Sequence, residues 1–404
     1  MSPPSVTVRL TNSAERWVRK EHPWLYAESI RSQSRAGAPG DLAVIFDRQR
    51  KLLALGLFDP DSPIRIRILH RGGPRAIDRE FFAERLRAAA AQRAELPREG
   101  TTAWRVANGE SDGLPGLVID RYEGTCVLKL YTAAWQPHLG ELLAAVASAL
   151  APERVVLRLA RAIADACAER GLVDGAVLAG PPLTEPVVYR ELGLRLRCDP
   201  AHGQKTGAFL DQRENRARVA TRARGKSVLD AFCYTGGFSL HAARGGASRV
   251  LSLDASKIAL DEARANFAAN RDVPEVARCA HQLAHGDAFR ELALLAEAKR
   301  RFELVVLDPP ALAHRKEDLP QALHAYARLA ELAAPLVERG GQLVAASCSA
   351  RVDADALADA LQRGAARAGC ALREEERTAH ALDHPVRFPE GAYLKCLFMR
   401  VEPR

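Results

Sequence analysis

Beyond about residue 200 the chain alternates short apolar runs with helical stretches, and this rhythm restricts its fold more than any other feature. The runs Ser227–Phe232, Val250–Asp254, Leu304–Asp308 and Gln342–Ser347 are separated by Gly237–Arg244, Ser256–Asn270, Leu319–Leu336 and Asp353–Ala368. Strands that are apolar on both faces need cover on both faces, and helices supply it when the sheet is parallel. The expected class is α/β, with a doubly wound, mostly parallel sheet. Ligands of such sheets sit at the carboxyl ends of the strands. Chemistry is therefore expected from the polar residues that follow each run.

The preceding half reads differently. Val6–Leu10, Leu42–Phe46, Lys51–Phe58 and Pro63–Leu69 are strand-like and bounded by Gly37-Ala-Pro-Gly40, Asp59-Pro-Asp-Ser-Pro63 and Arg71-Gly-Gly-Pro74. They suggest a small β-barrel. Ile64-Arg-Ile-Arg-Ile68 alternates strictly, which places Arg65 and Arg67 on one face. A middle region opens with a helix over Ile77–Glu95 and continues through Gly109–Gly116 into the runs Leu117–Asp120 and Cys126–Tyr131. Ala160–Gly180 resists assignment. The expected modules are 1–72, a barrel; 73–198, a central α+β domain; and 199–404, the sheet domain. Charge follows the same division. Of the net +8, +6 falls in residues 1–75, which carry 13 Lys/Arg against 7 acids. A basic module on a near-neutral body suggests a polyanionic partner.

No export signal is read in Met1–Leu10, and no stretch approaches the length of a membrane span. The eight cysteines are scattered without zinc spacing. The expectation is a cytoplasmic protein with free thiols, no bound metal and no membrane partner.

The first run ends in Asp230-Ala-Phe-Cys-Tyr-Thr-Gly-Gly237. Adjacent glycines let backbone approach a ligand closely before a helix starts. Seventeen residues on, Asp254 stands where an acid accepts from a ribose diol; Asp287, after a third strand His281–His285, is placed for an adenine edge. Nucleotide sheets of two kinds share these features, but the G-x-G-x-x-G of dinucleotide binding is absent. Asp230 suits a cationic amino group such as that of methionine. The fourth run ends in Asp308-Pro-Pro-Ala311, where prolines fix the backbone at the mouth of the sheet. Ala311 stands where amine-methylating enzymes place an aromatic residue. The fifth ends in Ser347-Cys348-Ser349, a thiol beside the same cleft. Ahead of the sheet, His202–Arg216 groups Lys205, Asp211, Gln212 and Arg213 with Phe209, whose ring could stack on adenine.

These residues resemble the bacterial 23S ribosomal RNA cytosine-5 methyltransferases of the large-subunit methyltransferase I family. The likeness rests on His202-Gly-Gln-Lys-Thr-Gly, Phe209-Leu-Asp-Gln-Arg, Phe232-Cys-Tyr-Thr-Gly-Gly-Phe, Asp308-Pro-Pro, Ser347-Cys-Ser, Asp383-His-Pro and Pro389-Glu-Gly-Ala-Tyr-Leu-Lys395. Earlier come His22-Pro-Trp-Leu, Gly109-Glu-Ser-Asp-Gly-Leu-Pro-Gly and Ile119-Asp-Arg121. The resemblance covers nearly the whole chain. It implies a PUA-like RNA-binding barrel, a class I S-adenosylmethionine-dependent methyltransferase domain, 23S rRNA as substrate and a tendency to form homodimers. Where the family has Lys after Asp-Pro-Pro this chain has Ala311, so no role is carried to that position.

The implied catalytic residues are Cys348, a nucleophile toward carbon 6 of a flipped-out cytosine, and Asp308, an acid at ring N3. The expected cofactor residues are Phe209, Asp211, Gln212, Asp230, Phe232, Tyr234, Thr235, Gly236, Gly237, Asp254, Ala255, Ser256, Asp287, Ala288, Asp308 and Pro309. RNA phosphates are expected on Arg16, Lys20, Arg65, Arg67 and Lys205. The competing readings are a methyltransferase of another RNA base or of protein, a non-catalytic RNA-binding assembly factor, and, third, a nicotinamide oxidoreductase.

Overall fold

The computed structural model describes residues 4–313 and 315–403. They form two compact units. The first comprises the chain up to Gly193 with Cys198–Leu210 and Leu382–Pro389; the second comprises Leu194–Arg197, Asp211–Ala381 and the chain from Glu390 onward.

The second unit is built on a seven-stranded sheet. Its strands are labelled here β1 (Ser227–Ala231), β2 (Arg249–Asp254), β3 (Ala280–His285), β4 (Phe302–Leu307), β5 (Val337–Ser347), β6 (Cys370–Thr378) and β7 (Lys395–Pro403). Their spatial order is β3-β2-β1-β4-β5-β7-β6. The first five are parallel, and β7 runs antiparallel between β5 and β6. The order reverses at β1, so the crevice for a ligand opens between the ends of β1 and β4. Helices cover the sheet as the alternation demands: Gly237–Arg244, Lys257–Ala269, Ala288–Glu297, Leu319–Ala333 and Ala354–Arg367. Three are started by a side chain that accepts a first-turn N–H: Ser256 from Ala259, Asp287 from Arg290 and Asp353 from Ala356. The apolar strand residues Leu229, Leu253, Val305, Leu307 and Leu343 pack with Tyr326, Leu329, Leu357 and Leu361 in one core.

The first unit holds two sheets. Six strands between Ser5 and Arg71 form a mixed sheet around Val6, Val8, Leu25, Ile45, Phe58, Ile66 and Ile68. Five further strands, from Ala103–Asn108 to Val177–Ala179, form the second. Leu55, Leu57 and Leu69 of the six-stranded sheet belong to the same core as Phe82, Leu128, Trp135 and Leu142 of the second, so the two sheets share a hydrophobic interior. The unassigned Ala160–Gly180 supplies a short helix, Ala164–Ala168, and the edge strand Val177–Ala179. Leu382–Pro389 is held in this unit by buried polar bonds. The Asp383 carboxylate accepts from Arg105 N at 2.8 Å, and Arg93 donates to the Asp383 carbonyl at 3.1 Å.

One expectation fails here. Arg67 does not share an open face with Arg65; it is buried and ion-paired with Glu110 at 3.5 Å. The strand Ile64–Arg71 is sandwiched between cores, with Ile66 and Ile68 facing one and Leu69 the other. Alternation therefore sends Arg67 inward rather than to solvent.

Candidate active site

The site is assembled at the carboxyl ends of β1 to β5. The turn after β1 is conformationally costly: Phe232, Tyr234 and Gly236 have φ of 63°, 49° and 77°. Left-handed backbone at two non-glycine residues persists only where surroundings enforce it. Here Cys233 N donates to Leu253 O at 3.1 Å, Tyr234 N to Asp254 Oδ2 at 2.8 Å, and Asn266 Nδ2 to Thr235 O at 2.9 Å. Gly236 is required twice over, since a Cβ would also lie 2.9 Å from Ala263 Cβ. Gly237 then begins the helix.

Asp230, at the end of β1, is fully buried. Its Oδ2 accepts from Ser239 N at 2.9 Å and Ser239 Oγ at 2.6 Å, while Oδ1 has no hydrogen-bond partner. Burial raises its pKa to about 7, with Asp308 and Asp254 adding to the rise and Ser239 opposing it. A buried carboxylate oxygen lacking a donor fits a ligand that brings a cationic N–H. A polar chain leads away from it: Ser239 Oγ to Ser252 Oγ at 2.6 Å, then Ser252 Oγ to His281 Nε2 at 2.9 Å.

Asp254 ends β2. It accepts from Tyr234 N and, at 2.8 Å, from Ser256 N, which leaves lone pairs for hydroxyls. Ala255 and Ser256 are exposed, as is Asp287 after β3, where it caps its helix beside buried Ala288. Asp308 follows β4, half-buried, with Pro309 buried behind it. Its Oδ1 accepts from Gln212 Nε2 at 2.9 Å. Gln212 is itself held by Asn215 at 2.6 Å, and Asn215 by Thr378 at 2.6 Å. Asp211, next to Gln212, accepts from Tyr393 Oη at 2.8 Å.

Cys348 stands just past β5, partly exposed between two buried serines. Ser347 Oγ accepts from Tyr326 Oη at 2.8 Å. Ser349 Oγ accepts from Leu312 N at 3.1 Å and Ala313 N at 3.2 Å. The serines thus lock the thiol's backbone and tie it to the segment that follows Asp308. Lys395 reaches the same turn, donating to Ser349 O at 2.6 Å and Tyr393 O at 2.9 Å. Sequence patterning alone assigns no role to Ser349, Asn215, Tyr393 or Lys395. A signal for Lys395 exists: one cation interrupts the otherwise apolar run Leu394–Met399.

The structure therefore gathers Asp211, Gln212, Asp230, Phe232, Tyr234, Thr235, Gly236, Gly237, Asp254, Ala255, Ser256, Asp287, Ala288, Asp308, Pro309 and Cys348 in one unit. Phe209 and Lys205 lie in the other, where the Lys205 ammonium sits 4.5 Å from the Phe209 ring centroid. Arg16 and Lys20 are exposed on and beside the helix Asn12–Arg19, and Arg65 is half-buried.

A family described as S-adenosylmethionine-dependent methyltransferase matches residues 133–400, and a PUA-like domain matches residues 8–71. Sheet order, strained turn and strand-end acids agree with that class: the chain is an S-adenosylmethionine-dependent methyltransferase with a PUA-like domain. It is 46% identical to a ribosomal RNA large subunit methyltransferase of Deinococcus radiodurans, over 99% of this chain and 98% of that one. It is 35% identical to ribosomal RNA large subunit methyltransferase I of Shewanella amazonensis, over 98% and 100%. The chain belongs to this family of large subunit methyltransferases. Among solved structures, a protein classed as a methyltransferase and complexed with SAH shares the fold, with a TM-score of 0.82 at 20% identity over 98% of this chain and 99% of that one. A protein from Streptococcus mutans classed in the same way has a TM-score of 0.80 at 20% identity, over the same shares. Among the described residues, no helix is long and apolar enough to cross a membrane.

Proposed function

We propose that the protein methylates carbon 5 of a cytosine in 23S ribosomal RNA through a covalent adduct on Cys348. The observation that carries this reading is the joining of Cys348 to the Asp308 segment through Ser349, which sets a thiol and a carboxyl group at neighbouring strand ends. S-adenosylmethionine supplies an electrophilic methyl group. Asp230 and the Phe232–Gly237 turn would hold its methionine end, Asp254 its ribose and Asp287 its adenine edge, with Asp211 and Gln212 closing over it.

Carbon 5 of cytosine is a poor nucleophile. Addition of the Cys348 thiolate to carbon 6 forms a C–S bond and moves the ring electrons to carbon 5. Asp308, oriented by Gln212, donates a hydrogen bond or proton at N3 as charge builds there. Once carbon 5 carries the methyl group its proton passes to water, the C–H electrons re-form the C5–C6 double bond, and the C–S electrons return to sulfur. The base must be lifted out of its stack, because carbon 6 is otherwise out of reach.

The PUA-like module would serve as an RNA handle, with Arg16, Lys20 and Arg65 on phosphates, and Lys205, outside it, would meet a phosphate as well. The relatives' names support ribosomal RNA as the substrate. The test is methylation of 23S rRNA by wild type and by Cys348→Ala, with the product digested to nucleosides. Wild type should yield 5-methylcytidine. The variant should bind cofactor and yield none; transfer near the wild-type rate in it would remove Cys348 from the mechanism.

A further inference from the structure

The proposed reaction needs sulfur as thiolate, yet Cys348 lies in a half-buried cleft with an acid, Asp308, nearby. A thiol is mostly protonated near neutral pH unless a positive charge stands by it, and Lys395 is placed to supply one. Lys395 is paired with Ser347 across the antiparallel β5–β7 ladder, so its side chain rises beside the Ser347–Cys348–Ser349 turn. It is only 7% exposed. Its ammonium donates to two neutral carbonyls, Ser349 O and Tyr393 O. They fix the position of the charge without cancelling it. Burial lowers the Lys395 pKa to about 8, while Cys348 and Asp353 push it up. Among the described residues, Tyr326, which burial raises to about 12 and so keeps neutral, and Asp308 also stand near the sulfur.

We propose that Lys395 is a positioning residue for Cys348: its ammonium, pinned by the carbonyls of Ser349 and Tyr393, holds the sulfur as a thiolate. The use of that thiolate rests on the adduct reading above; the pair itself does not. The ammonium acts at both ends of the cycle. Attack on carbon 6 consumes the sulfur's charge, and expulsion at the end restores it. A cation beside the sulfur therefore also favours release of the product.

The test is alkylation of the full-length protein by iodoacetamide at a series of pH values, with each cysteine followed by peptide mass spectrometry. Cys370, the other partly exposed thiol, is an internal reference whose pKa burial raises. In wild type the Cys348 profile should inflect below that of Cys370. Lys395→Met should move it upward by about one pH unit, a roughly tenfold loss of reactivity near neutrality; Lys395→Arg, which keeps the charge, should restore most of it. An unmoved profile in a folded Lys395→Met protein overturns the proposal. So does a wild-type Cys348 that inflects at or above Cys370, a result that needs no variant to fold. Methyl transfer persisting in Cys348→Ser would remove the adduct reading and leave the thiol–ammonium pair standing.

Discussion

Asp230 shows how one side chain can serve binding at the expense of stability. Its carboxyl is pushed up to about 7, mainly by burial. A folded-state pKa above the unfolded value means that the native protein holds the proton more tightly. Stability from this group is therefore fully present below the ordinary value of 3.8 and is lost between there and about 7. Asp230→Asn should raise the melting temperature of the ligand-free protein at pH 8 but hardly at about pH 4, while weakening S-adenosylmethionine binding by at least about tenfold in calorimetric titration. A melting temperature unchanged at both pH values would show that Asp230 is not desolvated as described. Asp230 and Asp254 are legible in the sequence because each ends an apolar run, where the fold puts its ligands. Lys395 is marked only as a lone cation in an apolar run; its place beside Cys348 comes from a strand pairing across 48 residues of sequence, and no local pattern encodes that register.

Elements differ in the same way. The helices after β1, β2 and β5 are legible almost to the residue, because glycines, caps and apolar spacing all mark them locally. β6 is not: Cys370–Thr378 is an edge strand whose Arg and Glu residues pair with one another and with Arg218, Arg222, Arg400 and Asp355, so it lacks an apolar run. The turn after β1 concentrates backbone strain, and its tolerance is small. Gly236→Ala adds a Cβ at positive φ against Ala263. It should cost about 1–3 kcal/mol in chemical denaturation and lower cofactor affinity, since the turn must shift. Ser349→Ala tests the other end of the site. It leaves two backbone N–H groups, of Leu312 and Ala313, without their acceptor. A loss of about 1–3 kcal/mol is expected. With it, kcat should fall while the cofactor dissociation constant holds; equal losses in both would place the segment under the cofactor instead.

For the whole molecule, charge separates surface from interior. Arg16 and Lys20 are exposed, whereas Arg67 is buried against Glu110. Measured as log Kd against log salt on a 23S rRNA fragment, Arg16→Ala with Lys20→Ala should flatten the slope by about one for each phosphate no longer neutralised. Arg67→Ala should lower thermal stability and leave the slope alone. The basic first module is legible as composition. That its sheet shares a core with the next is not, because an apolar residue does not declare which neighbour it will meet. The strand order of the catalytic sheet bears on how the protein is made. β7 is synthesised after the other six strands of this sheet, yet it lies between β5 and β6 and brings Lys395 to the turn that carries the thiol. During translation the gap beside β5 stays open until the last strand clears the ribosome, and β6 has no partner before then. From the completion of β5 at Ser347 until β7 follows, the nascent sheet carries an exposed edge. A chain cut short by even its last strand should be a client of chaperones and proteases rather than a weak catalyst.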